Sequence, residues 1–127
     1  MVKQFLLLIS LIIIFPITFL CGCISENSET ENPTLCLTID NNDNSNLSIE
    51  VIIKNSDKIE IYNNTLELSP NEYFSINDIT KINGVYSIKV IHNNSTFINN
   101  DIRVEEKYSN VKIQINNNDV EISQIVK

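Results

Sequence analysis

Apolar side chains recur at every second position through most of the chain after residue 34, and this alternation limits the fold more than any other feature. In residues 47–53, for example, Leu47, Ile49, Val51 and Ile53 occupy alternate positions. A period of two places them on one face of a half-buried β-strand. Similar segments, separated by turn-forming residues, recur about every eight to twelve residues, which is the pattern of a β-sandwich or barrel. No stretch of useful length has apolar residues at helical spacing, so the sequence predicts an all-β fold.

The composition also favours strands. The chain contains no Ala, which is the best helix former, and it is rich in the β-branched residue Ile. We therefore expect a small antiparallel β-sandwich of about seven to nine strands over residues 35–127. Runs of Asn and Asp mark the turns. Two of these runs, Asn63–Asn64 and Asn99–Asp101, are each predicted to separate two short strands.

One segment carries a more specific resemblance. Gly84 precedes Tyr86 by two residues, and alternating apolar residues follow as far as Val90. This arrangement resembles the penultimate long strand of immunoglobulin-like (Ig-like), fibronectin type III and transthyretin-like sandwiches. The resemblance implies that Tyr86 packs at a corner of the fold and that its hydroxyl bonds back to nearby backbone. The chain has no Trp and lacks the Cys–Trp–Cys core of antibody domains, so the resemblance concerns the architecture and not that family.

The N-terminal segment reads as an export signal. Lys3 precedes an apolar run over residues 5–15, and the segment ends in the sequence Leu20-Cys21-Gly22-Cys23. That ending resembles the lipobox of prokaryotic lipoproteins, archaeal ones included, although Ala or Ser is commoner at the position of Cys21. The resemblance implies cleavage after Gly22 and a thioether-linked lipid on Cys23, the new N-terminus. Stable anchoring takes two lipid chains, because one chain binds only reversibly.

Two other interpretations of this segment stay open. Residues 5–24 would span roughly 30 Å as a helix and could remain as an uncleaved transmembrane anchor. The segment could also be an ordinary secretory signal. We expect a lipoprotein signal peptide over residues 1–22, a lipidated tether over 23–34 and the sandwich over 35–127. The tether is polar and acidic and is predicted to be disordered.

The charge of the chain excludes one class of partner. The net charge is −7, and removal of Lys3 with the signal makes it −8. Since no run of Lys or Arg accompanies this acidity, we expect no binding to nucleic acid. We also expect the lipid, and not a basic patch, to hold the protein at the membrane.

The sequence offers little for catalysis. His92 is the one histidine and is predicted to be a solvated turn residue, with no nucleophile or carboxylate placed to work with it. We therefore expect no enzymatic activity and no cofactor. After processing, Cys36 would be the one unmodified cysteine, and it is predicted to be a small buried residue in a strand. Asp40–Asn44 and Asn116–Asp119 carry oxygen ligands that could suit calcium, but Asx turns explain both loops, so no metal site is predicted.

Four acceptor sequons are present. They begin at Asn46, Asn63, Asn93 and Asn94, each at a predicted turn, and are candidate N-glycosylation sites. Together these features predict a lipid-anchored protein on the extracytoplasmic face of a prokaryotic cell membrane. The expected function is a non-catalytic binding or interaction module with an unidentified envelope or extracellular partner. The alternative is a structural or accessory subunit of an envelope complex.

Overall fold

The computed structural model describes residues 32–105, 107–117 and 119–126. The predicted signal, Cys23 and most of the tether lie outside this range. The described residues form eight β-strands and no helix, which confirms the predicted all-β sandwich. The strands are β1 (Thr34–Asn41), β2 (Leu47–Asn55), β3 (Glu60–Leu68), β4 (Tyr73–Thr80), β5 (Gly84–His92), β6 (Ser95–Val104), β7 (Tyr108–Asn116) and β8 (Asp119–Val126).

The strands are divided equally between two sheets. The first sheet has the order β4-β1-β7-β8 and the second has the order β3-β2-β5-β6. β1 and β7 are parallel, and every other neighbouring pair is antiparallel. β1 and β2 therefore belong to different sheets, whereas the first two strands of a constant-type immunoglobulin domain share one sheet.

The core lies between the sheets and is built from the alternating residues. In β1, Leu35, Leu37 and Ile39 are fully buried, and residues 47–53 of β2 show the predicted alternation of buried and more exposed positions. Burying each such side chain contributes roughly 1.5–3 kcal/mol. The other fully buried or nearly buried apolar side chains of the core are Leu66, Leu68, Tyr86, Ile88, Val90, Ile102, Val104, Val111, Ile113, Ile115 and Val120.

β1 is covered on both faces. Its inward-facing residues pack in the core, and its outward-facing residues Cys36 and Thr38 are 1% and 5% exposed. Its two edges are paired with β4 and β7. The prediction that Cys36 is a buried residue in a strand is therefore confirmed. β1 is thus one of the most enclosed of the described strands.

Two predicted turns are wrong. Asn63–Asn64 lies inside β3, and Asn99–Asp101 lies inside β6, so each pair of predicted short strands is one continuous strand. In β6 the register shifts between the pairs Tyr86–Ile102 and Ile88–Asn99, which marks a β-bulge. Both strands are sheet edges. Polar side chains and bulges on an edge strand discourage pairing with other chains. The Asn residues of β3 and β6 fit this role and do not reverse the chain.

The turn predicted at Asn93 and Asn94 is confirmed. β5 and β6 are joined by a two-residue hairpin in which Asn93 and Asn94 have φ angles of 48° and 63°. Positive φ at both central positions defines a type I′ turn, whose twist matches that of the strands, and Asn tolerates this conformation well. Between β3 and β4, Pro70 is followed by Asn71 with a φ of 57°, as a type II turn requires.

Candidate functional site

The two ends of the sandwich differ in chemistry. The proximal end is the one at which the chain enters β1 at Thr34, and it also holds the β2–β3, β4–β5 and β6–β7 loops and the end of β8. The distal end holds the β1–β2, β3–β4, β5–β6 and β7–β8 connections. The strand registers fix this division, since Thr34 pairs with Tyr108 and Gly84 pairs with Val104.

The proximal end exposes apolar side chains. Of the seven large hydrophobic residues exposed in the described part of the chain, five lie at this end, so the exposure is concentrated there. Ile82, in the β4–β5 loop, is 71% exposed, and Ile59, in the β2–β3 loop, is 60% exposed. The others are Val85, Ile125 and Val126. A groove of about 610 Å³ opens between the start of β5 and the end of β8, with Val85, Lys107 and Val126 in its lining.

Basic residues also gather at the proximal end. Lys58, Lys81 and Lys107 lie in its three loops. Arg103 Nε lies 2.9 Å from Asp101 Oδ1, and this pairing raises the pKa of the arginine above its ordinary value. Acidic residues balance these cations, so the proximal end is close to neutral. They are Asp57, Glu60, Asp78, Asp101 and Glu105.

The distal end is acidic. Among the described Lys and Arg residues, Lys112 reaches this end, where its Nζ lies 3.0 Å from Asp40 Oδ2. Its acidic residues are Asp40, Asp43, Glu67, Glu72, Asp119 and Glu121. An open cleft of about 590 Å³ lies beside Asn46, with Glu67 and Glu72 on its rim. The negative charge of the sandwich is therefore concentrated at the end opposite the chain entrance.

Asn41 fixes the loops of the distal end. Its side chain is 1% exposed, and its Nδ2 donates to the carbonyl oxygens of Ser45 at 3.0 Å and Ser69 at 2.8 Å. A third contact reaches the Leu68 carbonyl at 3.3 Å. Its Oδ1 accepts a hydrogen bond from the Asp43 amide at 2.9 Å, which is the predicted Asx turn. One buried amide thereby ties the β1–β2 loop to the β3–β4 loop.

The two loops that carry possible calcium ligands, Asp40–Asn44 and Asn116–Asp119, are neighbours in space. The Asn42 amide donates to the Ile115 carbonyl at 3.0 Å, and the Asn117 amide donates to the Asp43 carboxylate. Asp40 pairs instead with Lys112 at 3.0 Å. Among residues 32–105, 107–117 and 119–126, no three His, Cys, Asp or Glu side chains come together as a metal site. The Asp43 carboxylate accepts a hydrogen bond from a backbone amide, and the Asp40 carboxylate forms an ion pair with a lysine.

The prediction for His92 is wrong. The imidazole is only 4% exposed, although it ends β5 beside a turn. The amide nitrogen of Asn93 can only donate, so Nε2 of the neutral ring accepts at 3.0 Å and Nδ1 donates to the Ser48 carbonyl at 3.4 Å. Strand pairing with Ile49 and Ser95 encloses the residue on both sides. Its contacts make His92 a structural residue of the β2–β5 pair.

The candidate glycosylation residues do not form one site. Asn46, Asn93 and Asn94 are exposed at the distal end, as predicted for turn residues. Asn63 is also exposed but lies in the middle of β3, where its Nδ2 donates to Glu60 at 2.9 Å. The predicted lipidation residue, Cys23, lies outside the described residues.

Sequence reasoning missed the proximal end as a surface. Its cations and apolar residues come from loops that are far apart in the chain, so the sequence contains no run of basic residues that would indicate this surface. A local signal is nevertheless present, because Lys58 precedes Ile59 and Lys81 precedes Ile82. Both pairs occur in loops at the same end of the sandwich.

Tyr108 and Cys36 form a further contact near the proximal end. A hydrogen bond with the Cys36 thiol, together with partial burial, raises the pKa of the Tyr108 phenol above its ordinary value of 10.0. The contact joins β1 to β7, the two parallel strands.

Comparisons with known proteins do not assign this chain to a family. No family model matches it, and no curated protein is similar enough to match. The chain is similar to a protein from Eubacterium rectale solved by NMR, with 14% identity over 72% of this chain and 87% of that one and a TM-score of 0.44. It is also similar to a structure described as a trapped toxin, with 11% identity over 75% of this chain and a TM-score of 0.40. The match spans 23% of that second protein.

The described residues contain no helix long and apolar enough to cross a membrane. They define a two-sheet β-sandwich with an apolar, near-neutral proximal end and an acidic distal end.

Proposed function

We propose that this protein is a lipid-anchored, non-catalytic binding module on the extracytoplasmic face of a prokaryotic membrane. The observation that carries the proposal is the opposition of the two ends. The chain enters the sandwich at Thr34, eleven residues after the candidate lipidation residue Cys23, and the acidic loops lie at the other end. This arrangement would hold the distal loops away from the membrane and towards a partner.

The distal end has the properties of a recognition surface. Asn41 and Asp43 fix its loops through hydrogen bonds to the backbone, so the loops are pre-organised and lose little freedom on binding. Its carboxylates include the exposed Glu67 and Glu121, and Lys112, a cation that reaches this end, is already paired with Asp40. Charge complementarity favours a partner that carries positive charge.

The resemblance of residues 82–90 supports a finer assignment of the sandwich. β1 and β2 are split between the sheets and each sheet has four strands, unlike the constant-type immunoglobulin arrangement. Of the sandwich types that this segment resembles, we therefore favour the transthyretin-like type over the immunoglobulin-like type.

The anchor is tested with two cysteine variants of the full chain, expressed in a prokaryote with lipoprotein processing. Intact mass and membrane fractionation should show loss of residues 1–22 and a lipid adduct in the native chain and in Cys21→Ser. Cys23→Ser should lose the adduct and leave the membrane fraction. Retention of Met1, or an unmodified Cys23 at the new N-terminus, would contradict the anchor.

The binding role is tested by cross-linking the anchored protein in intact cells. The double charge reversal Glu67→Lys with Glu121→Lys should reduce the recovery of the partner, because both residues are exposed at the distal end. The matched control is Asp57→Lys with Glu105→Lys at the proximal end, which should leave recovery unchanged. Recovery of a fixed, stoichiometric envelope complex with both variants would favour the accessory role.

A further inference from the structure

We propose that the proximal end is a membrane-facing surface, on which the sandwich rests against the lipid headgroups. This proposal rests on the lipid anchor of the proposed function and adds an orientation to it. The occupant is the bilayer surface itself, contacted by exposed apolar side chains of the proximal loops and of β8.

The apolar residues extend across the whole proximal end. Ile59 lies beside β3, which is the edge of one sheet, and Val126 ends β8, which is an edge of the other. Ile82 lies in the loop that crosses between the sheets from β4 to β5. Exposures of 60%, 55% and 71% leave these side chains without a covering layer from the described chain. Scattered single residues need no explanation, but five of the seven exposed large hydrophobic residues of the described chain lie at this end, and such a concentration marks a contact surface.

The cations beside these residues suit an interface between water and lipid. Lys58 and Lys81 each precede an exposed Ile, so each loop presents an apolar side chain next to a long amphipathic one. A lysine in this position buries its methylene stem and keeps its ammonium group at the headgroup level.

The length of chain outside the described residues limits the alternatives. The eleven residues from Cys23 to Thr34 span at most about 40 Å when fully extended. A nine-residue strand is about 30 Å long. A tether that ran back along the sandwich would therefore need most of its length to bring the anchor to the distal end. The acidic distal end would also be repelled by anionic headgroups. Both considerations place the proximal end nearest the bilayer.

Because acidic residues offset the lysines, apolar contact and not net charge should hold this surface to lipid. We therefore expect the contact to form on zwitterionic as well as on anionic vesicles and to survive high salt, which screens surface charge.

The experiment uses the full lipidated chain in phosphatidylcholine vesicles, with and without phosphatidylglycerol. A polarity-sensitive fluorophore is attached at Ile82→Cys or, as the matched control, at Tyr73→Cys, which is 62% exposed at the distal end. Cys36 is replaced by Ser in both. Lipids brominated in the upper acyl chain should quench roughly half of the fluorescence at position 82 and almost none at position 73. Adding Ile59→Glu should reduce the quenching at position 82.

The outcomes separate the two proposals. Flotation with the vesicles but equal, weak quenching at both positions would overturn the membrane-facing surface and leave the anchor intact. Loss of flotation together with an unmodified Cys23 would overturn the anchor and this orientation with it. A label at position 82 that is shielded from water, is not quenched by lipid and cross-links to another copy would assign the surface to self-association and overturn the proposal.

Discussion

The hydroxyl of Tyr86 donates a hydrogen bond of 2.7 Å to the backbone carbonyl of Ile82, four residues earlier in the chain. The ring is 4% exposed and lies against Gly84, where a Cβ atom would be 3.6 Å from the tyrosine ring and would therefore fit. The bond closes the β4–β5 loop onto the start of β5. This is the corner that the resemblance of residues 82–90 implied, and it fixes the loop that carries the exposed Ile82 side chain.

Removing this hydroxyl should destabilise the fold. Tyr86→Phe keeps the buried ring but loses the bond to the Ile82 carbonyl, so we expect the free energy of unfolding to fall by about 1 kcal/mol. Urea denaturation of the two proteins measures the difference. Tyr73→Phe, at an exposed position, is the control and should change the free energy by less than about 0.5 kcal/mol.

Tyr62→Phe should change the free energy of unfolding in the opposite direction. The Tyr62 hydroxyl is buried and has no hydrogen-bond partner among the described residues. A buried hydroxyl without a partner carries a desolvation cost, which Tyr62→Phe removes. We expect the free energy of unfolding to rise by up to about 1 kcal/mol. A decrease in the same urea assay would contradict the assignment of this hydroxyl as unsatisfied.

Asn41 should be the most sensitive polar position of the distal end. Asn41→Ala removes the buried donor shared by three carbonyls and the acceptor of the Asp43 amide. We expect a loss of about 2–3 kcal/mol, because several buried backbone groups lose their partner together. Thermal unfolding followed by circular dichroism measures it. Asn42→Ala, at an exposed neighbouring position, should cost less than about 0.5 kcal/mol.

The β5–β6 hairpin gives a test of backbone conformation. Asn94 has a φ of 63°, which glycine adopts freely and alanine does not. Asn94→Ala should destabilise the protein by about 1 kcal/mol, and Asn94→Gly should be neutral or stabilising. Equal melting temperatures for both variants would contradict the type I′ turn.

Tyr108 should make stability fall at alkaline pH. Its pKa is raised in the folded protein by the Cys36 contact and by burial, so folding favours the protonated phenol. That contribution is fully present below the ordinary pKa of 10.0 and is lost as the pH rises through the folded-state value. Ultraviolet absorbance titration should show a late-titrating tyrosine component that is lost in Tyr108→Phe. Cys36→Ala should return its pKa towards the ordinary value.

Strong periodicity made the core predictable. The alternation in residues 47–53 identified β2 and its buried face, because a strand with one face in the core leaves a two-residue repeat. The Asn-rich segments were harder to interpret. Asn93–Asn94 reverses the chain, whereas Asn63–Asn64 continues a strand, and local propensity is the same for both. What differs is the place in the sheet, since β3 is an edge where polar residues are useful, and an edge is defined only by the assembled topology.

The predicted environment of His92 failed for a related reason. Its neighbours in the sequence are turn-forming, but β2 and β6 pair with β5 up to its last residue, so His92 keeps the buried phase of Tyr86, Ile88 and Val90. The cations of the proximal end escaped detection because their loops lie far apart in the chain and meet only after folding. Sequence reasoning is dependable where a property is local and periodic, and it fails where a property depends on which strands become neighbours.

The central position of β1 has a mechanical consequence. Any pull on the chain before Thr34 acts along the axis of a strand that is hydrogen-bonded on one side to β4 and on the other to β7. Such a load shears these two ladders, whose bonds run mainly across the direction of force and must therefore rupture together instead of peeling apart singly. A load applied at Thr34 would therefore be carried by both ladders of β1 at once.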